Sequence, residues 1–313
     1  MPDKKMDKNN KKPLPFYDKI KTFNGPIWMA IYENPENEEW AIVVHGTMTN
    51  AECFNQLAML FLSKGVNVAL LHLTGHGLNR KKEVFDFEEM KENTKAAIHY
   101  VFRNYGKKVF LIGTSQGGFI VSAVAAESDK IKGVFAHGIM IPEWPESIYL
   151  TNLPKLVSKR YIEMIRGGLR LLARFFPKMK IPYRIYIDPK KIGSDRMVEI
   201  MDVMKYYPVK HVASLFNADM SGLKRIKCPI GVLMLEKETL FPAWYIRMIF
   251  EEIEAPKKEL IKISSKTHSA FFEEPEKIVE AIVPKMREYA LQPILPAFSQ
   301  AIQLPAPAKN SGF

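Results

Sequence analysis

A buried strand that turns sharply into a helix is predicted around Ser115, and this feature constrains the fold most. The apolar run Val109–Ile112 leads into Gly113-Thr-Ser115-Gln-Gly117, and an alanine-rich segment of helical period follows over Gly117–Ala126. A serine at such a bend brings its neighbours at −2 and +2 close together, so glycine is favoured at both positions. The pattern predicts a strand, a strained turn and a helix, with the Ser115 hydroxyl projecting clear of both elements.

Short apolar runs alternate with longer segments of helical period along most of the chain. The predicted strands are Ile27–Glu33, Trp40–Val44, Val68–Leu73, Val109–Ile112, Gly133–Ala136, Ile230–Leu235 and Glu259–Ile263. The predicted helices are Glu52–Ser63, Phe87–Tyr105, Gly117–Ala126, Pro242–Ile253 and Pro275–Tyr289. Several strands are apolar throughout, as expected when helices cover both faces of a sheet. This alternation predicts an α/β fold with a mostly parallel central sheet flanked by helices.

The alternation stops near Pro142 and resumes near Lys227. The intervening segment has no clear strand, and its periodicity predicts helices over Lys155–Phe176, Asp195–Tyr206 and Val209–Asn217. We therefore expect a basic N-terminal arm over residues 1–24 and a core formed by residues 25–141 and 222–290. A helical cap, residues 142–221, is inserted into that core, and a proline-rich tail follows over residues 291–313. The tail is predicted to be either a disordered extended end or an apolar strap lying in a groove.

The net charge of +11 is concentrated in two places. Residues 155–191 carry six lysines and five arginines against two acidic residues, and residues 1–21 are also basic. A local basic patch predicts either a solvated helix face or contact with an anionic partner such as a membrane surface. Nucleic-acid binding is not expected, because no recognised binding module accompanies the patch.

The size and composition of the chain exclude several protein classes. Its 313 residues, 47% of them hydrophobic, can bury a large core without disulfides or a structural metal, which excludes a disordered or collagen-like chain. Cys53 and Cys228 are too few for a disulfide framework, so two free buried thiols are expected. The first residues lack the apolar region of a secretion signal, and no uncharged apolar run reaches the roughly 18 residues of a membrane span. The prediction is a cytoplasmic protein.

A serine hydroxyl is a poor nucleophile near neutral pH unless a base accepts its proton and an acid orients that base. His268 is the predicted base, because it lies in a polar loop between the last predicted strand and the last helix, at the sheet edge of the predicted turn. The acid is expected after Ile230–Leu235, where no aspartate precedes His268. Glu238 is the prediction, with Glu236 as the alternative in the same loop and Glu143 as a more remote one.

Two backbone N–H groups are needed to hold the oxyanion of an acyl-transfer intermediate. One is expected from Gln116, directly after the predicted nucleophile. The other is expected from Thr47, in the loop after Trp40–Val44, where Gly46 lets the backbone approach a substrate closely. His45 is expected to shape this loop.

The remaining histidines are assigned ordinary structural roles. His72 and His76 are four residues apart with no third ligand in register, so a zinc pair is not expected there. His99 falls in a predicted helix, and His137 and His211 have no partner evident from the sequence. No metal and no cofactor is predicted.

Taken together, these motifs resemble the α/β-hydrolase superfamily, in the branch of monoacylglycerol lipases, lysophospholipases and carboxylesterases that is sometimes grouped with serine aminopeptidases. The resemblance covers residues 25–290 and rests on His45-Gly46, Gly75-His76-Gly77, Gly113-Thr-Ser115-Gln-Gly117-Gly118, the Glu238–Pro242 loop and His268. It implies that Ser115, Glu238 and His268 form a catalytic triad. It also implies that the Thr47 and Gln116 amides form the oxyanion hole.

The chain also differs from the pattern of that branch at two places. Glu238 stands where most members have aspartate, and His72-Leu73-Thr74 replaces the usual Asp-x-Arg before Gly-His-Gly. Phe175–Pro182 and Ile187–Pro189, in contrast, look like parts of the lids of these lipases. The glutamate at position 238 affects the geometry of the predicted acid. The change at His72-Leu73-Thr74 is expected to alter the bracing of the loop that precedes Gly75-His76-Gly77.

The segment Lys155–Phe176 predicts a basic amphipathic helix, with Gly167-Gly168 as an interruption that could act as a hinge. Its apolar face supplies the predicted substrate-pocket residues, Ile162, Ile165, Leu169, Leu172 and Phe176. The alternative is a lid packed on the core with its charges in water.

The sequence thus predicts a cofactor-independent serine hydrolase that cleaves carboxylic esters with an apolar acyl group through an acyl-enzyme on Ser115. The expected partner is a small lipid-like ester, with peripheral contact of the basic cap to an anionic membrane as a further expectation, and the oligomeric state is left open. The alternatives are acyl transfer to another acceptor, amide or peptide cleavage on the same triad, and a non-catalytic binding protein of the same fold.

Overall fold

A single eight-stranded sheet forms the centre of the protein. The computed structural model describes residues 15–194, 205–265 and 267–291. The strands are β1 Phe16–Ile20, β2 Ile27–Tyr32, β3 Glu39–Val44, β4 Val66–Leu71, β5 Val109–Thr114, β6 Ile131–His137, β7 Lys180–Pro182, β8 Tyr206–Pro208, β9 Ile230–Leu235 and β10 Lys258–Ile263. Strands β7 and β8 pair with each other outside the main sheet.

The main sheet has the order β1-β2-β4-β3-β5-β6-β9-β10. β2 runs antiparallel to both of its neighbours, and the other pairs are parallel. This confirms the predicted mostly parallel sheet. Because β3, β4, β5, β6, β9 and β10 point the same way, the loops that follow β3, β5, β6, β9 and β10 all emerge at one edge, where sites form in sheets of this kind.

Helices pack on both faces of the sheet. They are α1 Asn55–Ser63, α2 Phe87–Tyr105, α3 Gln116–Val124, α4 Lys159–Phe175, α5 Val209–Phe216, α6 Ala243–Glu252, α7 Ala270–Glu273 and α8 Pro275–Ala290. Single turns of 3₁₀ helix cover Ala51–Phe54, Gly77–Asn79, Pro145–Leu150, Tyr183–Ile185, Pro189–Lys191 and Ser221–Arg225.

Alternate side chains of each central strand enter two separate apolar layers. Ile42 and Leu111 lie in the layer that includes α2, α3 and α6. Val43 and Ile112 lie in the layer that includes α1 and α8. Successive side chains of a strand point to opposite faces of the sheet, and here both faces are covered by helices. Every position of a central strand is therefore buried, which explains the continuous apolar runs in the sequence.

The segment between β6 and β9 leaves the sheet and contains α4, α5 and the β7–β8 pair, and we call residues 142–221 the cap segment. The expectation of no strand there is wrong, because Lys180–Pro182 pairs antiparallel with Tyr206–Pro208. Helix α4 begins at Lys159, where the Ser158 side chain accepts a hydrogen bond from the Tyr161 amide, rather than at Lys155. It continues through Gly167-Gly168, so the predicted interruption is also wrong. Most of the predicted helix Asp195–Tyr206 lies outside the described residues.

The N-terminal end of the described chain differs from the predicted arm. Part of the predicted arm, Phe16–Ile20, is an edge strand of the main sheet, because it pairs with β2 along its whole length. The proline-rich tail lies outside the described residues from position 292 onward.

Cys53 and Cys228 are free thiols, as expected, with Cys228 buried and Cys53 half-buried. Among the described residues, none of the helices combines the length and the apolar character needed to cross a bilayer.

Candidate active site

Ser115 occupies the predicted strained turn between β5 and α3. Its φ is 54° and its ψ is −125°, a conformation that is costly for a residue with a side chain. A Cβ atom added to Gly113 would lie 2.3 Å from the carbonyl oxygen of Gly117, and one added to Gly117 would lie 2.0 Å from that of Val44. The two glycines are therefore required by close backbone approach, and they hold Ser115 at the start of α3, where the helix dipole is positive.

Glu238 lies at the same sheet edge, three residues after β9, and its side chain is fully buried. One carboxylate oxygen, Oε1, accepts a hydrogen bond from Nδ1 of His268. The same oxygen also accepts a hydrogen bond from the backbone amide of Phe241, with 3.3 Å between the nitrogen and the oxygen. The alternative acids, Glu236 and Glu143, are exposed. Of the three glutamates, the structure therefore brings Glu238 to His268.

A second histidine contacts the same carboxylate. Nε2 of His137, the last residue of β6, lies 2.5 Å from Oε2 of Glu238, and Nδ1 of His137 lies 3.1 Å from Oγ1 of Thr114. An ordinary structural role was expected for His137, so this contact is an addition to the predicted site. No local signal could have revealed it, because His137 and Glu238 are 101 positions apart.

The two histidines determine the ionisation of Glu238. Burial by itself would raise the pKa of the carboxyl group, but the positive charge and the hydrogen bonds that His137 and His268 can offer lower the pKa of Glu238 to about 2. Glu238 is thus an ionised acceptor at neutral pH. Such a carboxylate can fix the orientation of an imidazole and stabilise the imidazolium form.

His137, Glu238 and His268 also have the donor types of a metal site, and their ligand atoms lie within 4.8 Å of one another. The 2.5 Å separation between His137 Nε2 and Glu238 Oε2 is that of a short charge-assisted hydrogen bond. It leaves no room for a zinc ion between these two atoms, since zinc lies about 2.0–2.2 Å from each nitrogen or oxygen ligand. The cluster therefore fits a hydrogen-bonded relay of side chains better than a metal centre.

Ser115 and His268 line the same cavity, together with Gly46 and Thr47. With Nδ1 of His268 engaged by Glu238, Nε2 is the ring nitrogen left for a hydroxyl. Within the part of the chain that the structure describes, Ser115 and His268 make no direct hydrogen bond. In substrate-free enzymes such contacts often tighten only when substrate binds.

Thr47 and Gln116, the two predicted oxyanion residues, are joined to each other. The Thr47 hydroxyl donates to the side-chain carbonyl oxygen Oε1 of Gln116 at 2.6 Å. This bond links the loop after β3 to the first residue of α3. It keeps the two residues whose amides are the predicted donors at a fixed separation on either side of Ser115.

The cap segment contacts both halves of this arrangement. Met48, which follows Thr47, has a positive φ of 65°, and its amide donates to the hydroxyl of Tyr207 at 2.7 Å. On the other side, the Gln116 side-chain amide lies 3.3 Å from Nε2 of His211 on α5. Neither Tyr207 nor His211 was predicted to be part of the site, because both come from the segment between β6 and β9.

Two histidines outside the cap brace the loops beneath Thr47. His45 accepts a hydrogen bond from the Leu73 amide at 3.2 Å, which supports its expected role in shaping the loop after β3. Nδ1 of His76 donates to the Thr74 carbonyl, and its Nε2 accepts from the Tyr207 hydroxyl at 3.1 Å. Burial lowers the pKa of His76 to about 4, so this ring is neutral at physiological pH.

The sequence His72-Leu73-Thr74 braces its loop without the arginine of the related pattern. Both the amide and the hydroxyl of Thr74 donate to Oδ1 of Asn93 on α2, at 2.9 and 2.7 Å. The Asn79 side chain donates to the carbonyl of His72 at 2.6 Å. Neutral hydrogen bonds therefore hold this loop.

A second, larger cavity adjoins the first and shares Thr47, Ser115 and Leu240 with it. The larger cavity encloses about 570 Å³ of empty space including its mouth, and the smaller about 440 Å³. The larger cavity is mostly apolar, with lining residues that include Phe119, Met140, Leu150, Leu215, Phe216 and Phe241. Its apolar lining next to Ser115 can accommodate an apolar group.

The predicted pocket residues on α4 do not line either cavity. Ile162 is fully buried, and Ile165 and Leu169 pack against the core, whereas Leu172 and Phe176 are 39% and 60% exposed. Helix α4 packs on α5, and Leu215 and Phe216 of α5 line the larger cavity instead. The role of these five residues in a substrate pocket therefore stays a prediction, which the linings of these two cavities do not support.

Comparison with known proteins agrees with this architecture. Residues 35–275 match the family described as serine aminopeptidase, S33. A curated relative, the thermostable monoacylglycerol lipase of Bacillus sp. (strain H-257), is 22% identical over 268 residues, which cover 82% of this chain and 86% of the relative.

Solved structures of two lipases have the same fold. A monoacylglycerol lipase of Paleococcus ferrophilus has a TM-score of 0.68 and 23% identity, covering 84% of this chain and 99% of its own. A soluble variant of the monoglyceride lipase of Saccharomyces cerevisiae, bound to a substrate analogue, has a TM-score of 0.67 and 17% identity, covering 88% of this chain and 97% of its own. With a match over most of its length, the chain belongs to the serine aminopeptidase S33 family of the α/β-hydrolase superfamily.

Proposed function

We propose that this protein hydrolyses carboxylic esters that carry an apolar acyl group, through an acyl-enzyme intermediate on Ser115. The observation that carries the proposal is the combination at one sheet edge of a strained serine, a histidine lining the same cavity, and a buried ionised glutamate that binds this histidine. The likeness to proteins named monoacylglycerol lipases supports the ester as the substrate class.

The reaction begins when Oγ of Ser115 attacks the ester carbonyl carbon while Nε2 of His268 accepts the hydroxyl proton. Glu238, whose pKa is lowered to about 2, remains ionised and stabilises the imidazolium that forms. The oxyanion is held by the Thr47 and Gln116 amides, each worth roughly 3 kcal/mol of transition-state stabilisation. The proton on His268 then passes to the leaving alcohol, and water, activated by the same ring, attacks the acyl-enzyme and releases the acid.

The larger cavity is the proposed site of the acyl chain. Its lining is formed mainly by aromatic side chains, Leu and Met, and Met and Leu side chains adapt readily to flexible apolar groups. The smaller cavity, next to His268, would receive the leaving alcohol. The proposed substrates are therefore small lipid-like esters.

The outer face of α4 is the basis for a second part of the proposal, which concerns contact with lipid. Leu171 and Phe175 are 60% and 64% exposed and lie beside the exposed basic side chains of Arg170 and Arg174. Exposed apolar residues flanked by arginines suit a surface helix that contacts an anionic lipid interface. We propose that α4 makes this peripheral contact, which would bring the cavity to lipid substrates.

The proposed reaction is tested with p-nitrophenyl esters of increasing acyl length and with a fluorophosphonate probe. We expect hydrolysis by the native chain and covalent labelling at Ser115, with both lost in Ser115→Ala. Product analysis with added alcohols, thiols and peptides distinguishes hydrolysis from acyl transfer and from peptide cleavage. A folded native chain that neither turns over any of these esters nor reacts with the probe would refute the proposal.

The lipid contact is tested separately by co-sedimentation with vesicles that contain phosphatidylserine. We expect Arg174→Glu to reduce binding, since each basic residue near an anionic surface contributes about 1 kcal/mol. Lys64→Glu is the matched control, because Lys64 is an exposed lysine outside the cap segment. Equal binding of both variants and of the native chain would exclude α4 as the contact.

A further inference from the structure

The carboxylate of Glu238 is held at both of its oxygens by different histidines. Oε1 receives Nδ1 of His268, and Oε2 receives Nε2 of His137 at 2.5 Å. In a three-residue triad the acid needs only the first of these contacts. The second contact is therefore an additional element of this site.

The position of His137 is tightly determined by its surroundings. Its side chain is fully buried, and its ring lies 6.0 Å from that of Phe271 and 6.1 Å from that of Phe241, measured between centroids. Since Glu238 is ionised, Nε2 of His137 carries the proton donated to Oε2. The other ring nitrogen, Nδ1, lies 3.1 Å from the hydroxyl oxygen of Thr114, within hydrogen-bond distance.

This chain of contacts ties the acid to the strand that carries the nucleophile. Thr114 is the last residue of β5 and directly precedes Ser115, whereas Glu238 belongs to the loop after β9. His137, at the end of the intervening β6, bridges the two. A glutamate has one more rotatable bond than an aspartate, so it needs an additional anchor to present one oxygen to His268 in a fixed orientation.

We propose that His137 is a positioning residue that locks the Glu238 carboxylate against His268 and couples it to β5 through Thr114. The inference rests on the proposed hydrolase function and adds a fourth member to its relay. His137 does not line either cavity, so it acts on the reaction through Glu238 rather than by touching substrate. The titratable groups that interact with Glu238 among the described residues are His137 and His268.

The test compares His137→Leu with His137→Gln in the full chain, using a p-nitrophenyl ester that the native chain hydrolyses. Leucine leaves Oε2 without its donor, whereas the glutamine amide can still donate to it. We expect kcat of His137→Leu to fall about 10- to 100-fold with KM unchanged, because a buried hydrogen bond to a charged group is lost. We expect His137→Gln to recover most of this loss.

The pH profile separates positioning from a general packing defect. Without His137 the ionised form of Glu238 is less stabilised, so protonation of Glu238 begins at higher pH. The loss of kcat/KM in His137→Leu should therefore be several-fold larger at pH 5 than at pH 8. A packing defect would lower the activity by the same factor at both pH values, and that result would overturn the inference.

A second variant keeps the inference testable if His137→Leu does not fold. Thr114→Val keeps the size of the side chain but removes the hydroxyl that orients the His137 ring, and we expect a smaller loss of kcat with the same dependence on pH. Native kcat/KM in Thr114→Val at both pH values, or in a folded His137→Leu, would refute the role of His137 while leaving the hydrolase proposal intact. Absence of turnover and of Ser115 labelling in the native chain would refute both.

Discussion

The hydroxyl of Tyr207, in the cap segment, lies 2.7 Å from the amide nitrogen of Met48, the residue that follows Thr47. Met48 has a positive φ of 65°, which a residue with a side chain rarely adopts without support. The same hydroxyl donates to the neutral ring of His76. The cap segment thus holds the loop that carries one proposed oxyanion donor.

Tyr207→Phe should therefore impair catalysis more than binding. The substitution leaves the buried Met48 amide without its acceptor, and the loop is then free to relax away from the conformation that Thr47 requires. We expect kcat to fall about 10-fold with little change in KM. Steady-state kinetics provide the measurement. Tyr289→Phe is the matched control, because the buried hydroxyl of Tyr289 on α8 has no hydrogen-bond partner among the described residues and does not line either cavity.

Gly117→Ala should prevent the turn from forming. The new Cβ atom would lie 2.0 Å from the backbone carbonyl oxygen of Val44, and a backbone atom cannot move aside as a flexible side chain can. We expect the free energy of unfolding to fall by roughly 3 kcal/mol or more, as measured by urea denaturation, with loss of activity.

Gly168→Ala is the control for that prediction. Nothing lies within 4 Å of a Cβ atom at Gly168, which is in the interior of α4. Alanine is the better helix former by about 1 kcal/mol, so we expect this variant to be more stable than the native chain and equally active. Equal stability of the two variants would contradict both expectations.

The ionised state of Glu238 should contribute to stability in a defined range of pH. Its pKa is lowered from 4.5 in the unfolded chain to about 2 in the folded protein, so its contribution is fully present above about pH 4.5 and is lost as the pH falls toward 2. The stability difference between the native chain and Glu238→Gln should shrink over this range, by on the order of 3 kcal/mol. Urea denaturation between pH 2 and 6 measures it. Stability curves that remain parallel would contradict the lowered pKa.

Met140→Trp should shorten the acyl chains that the protein accepts. Met140 lines the larger cavity, and the bulkier indole would fill part of the space next to Phe216. We expect kcat/KM for long-chain p-nitrophenyl esters to fall at least 10-fold relative to the acetate ester. Leu172→Trp, on the exposed side of α4, is the control and should leave the chain-length profile unchanged. A shift of the profile by Leu172→Trp alone would place the acyl site against α4.

Much of the fold could be predicted because it depends on local patterns. The strand Val109–Ile112 and the turn at Ser115 appear in the sequence as an apolar run, two glycines and a helical segment, and the structure reproduces them. Glu238 and His268 could be predicted as neighbours because each follows a parallel strand, and such strands end at one edge of the sheet. Their roles in a triad, like the cytoplasmic location, stay predictions.

The elements that were missed depend on contacts between distant segments. Phe16–Ile20 has no apolar run of its own, and it is a strand because β2 offers it an edge. The larger cavity is lined by residues of α5 and not of α4, since amphipathicity specifies that a helix has a buried face but not which neighbour that face meets.

Local patterns thus specify the layered α/β architecture, the strained serine and the acid and base residues at the edge of the sheet, because periodicity and glycine spacing act over a few residues. The contact of His137 with the carboxylate of Glu238 and the support of Met48 by Tyr207, in contrast, arise from the packed fold. Those pairs are 101 and 159 positions apart. Hydrogen bonds over such separations form only after the sheet and the cap segment have packed, so no local pattern encodes them.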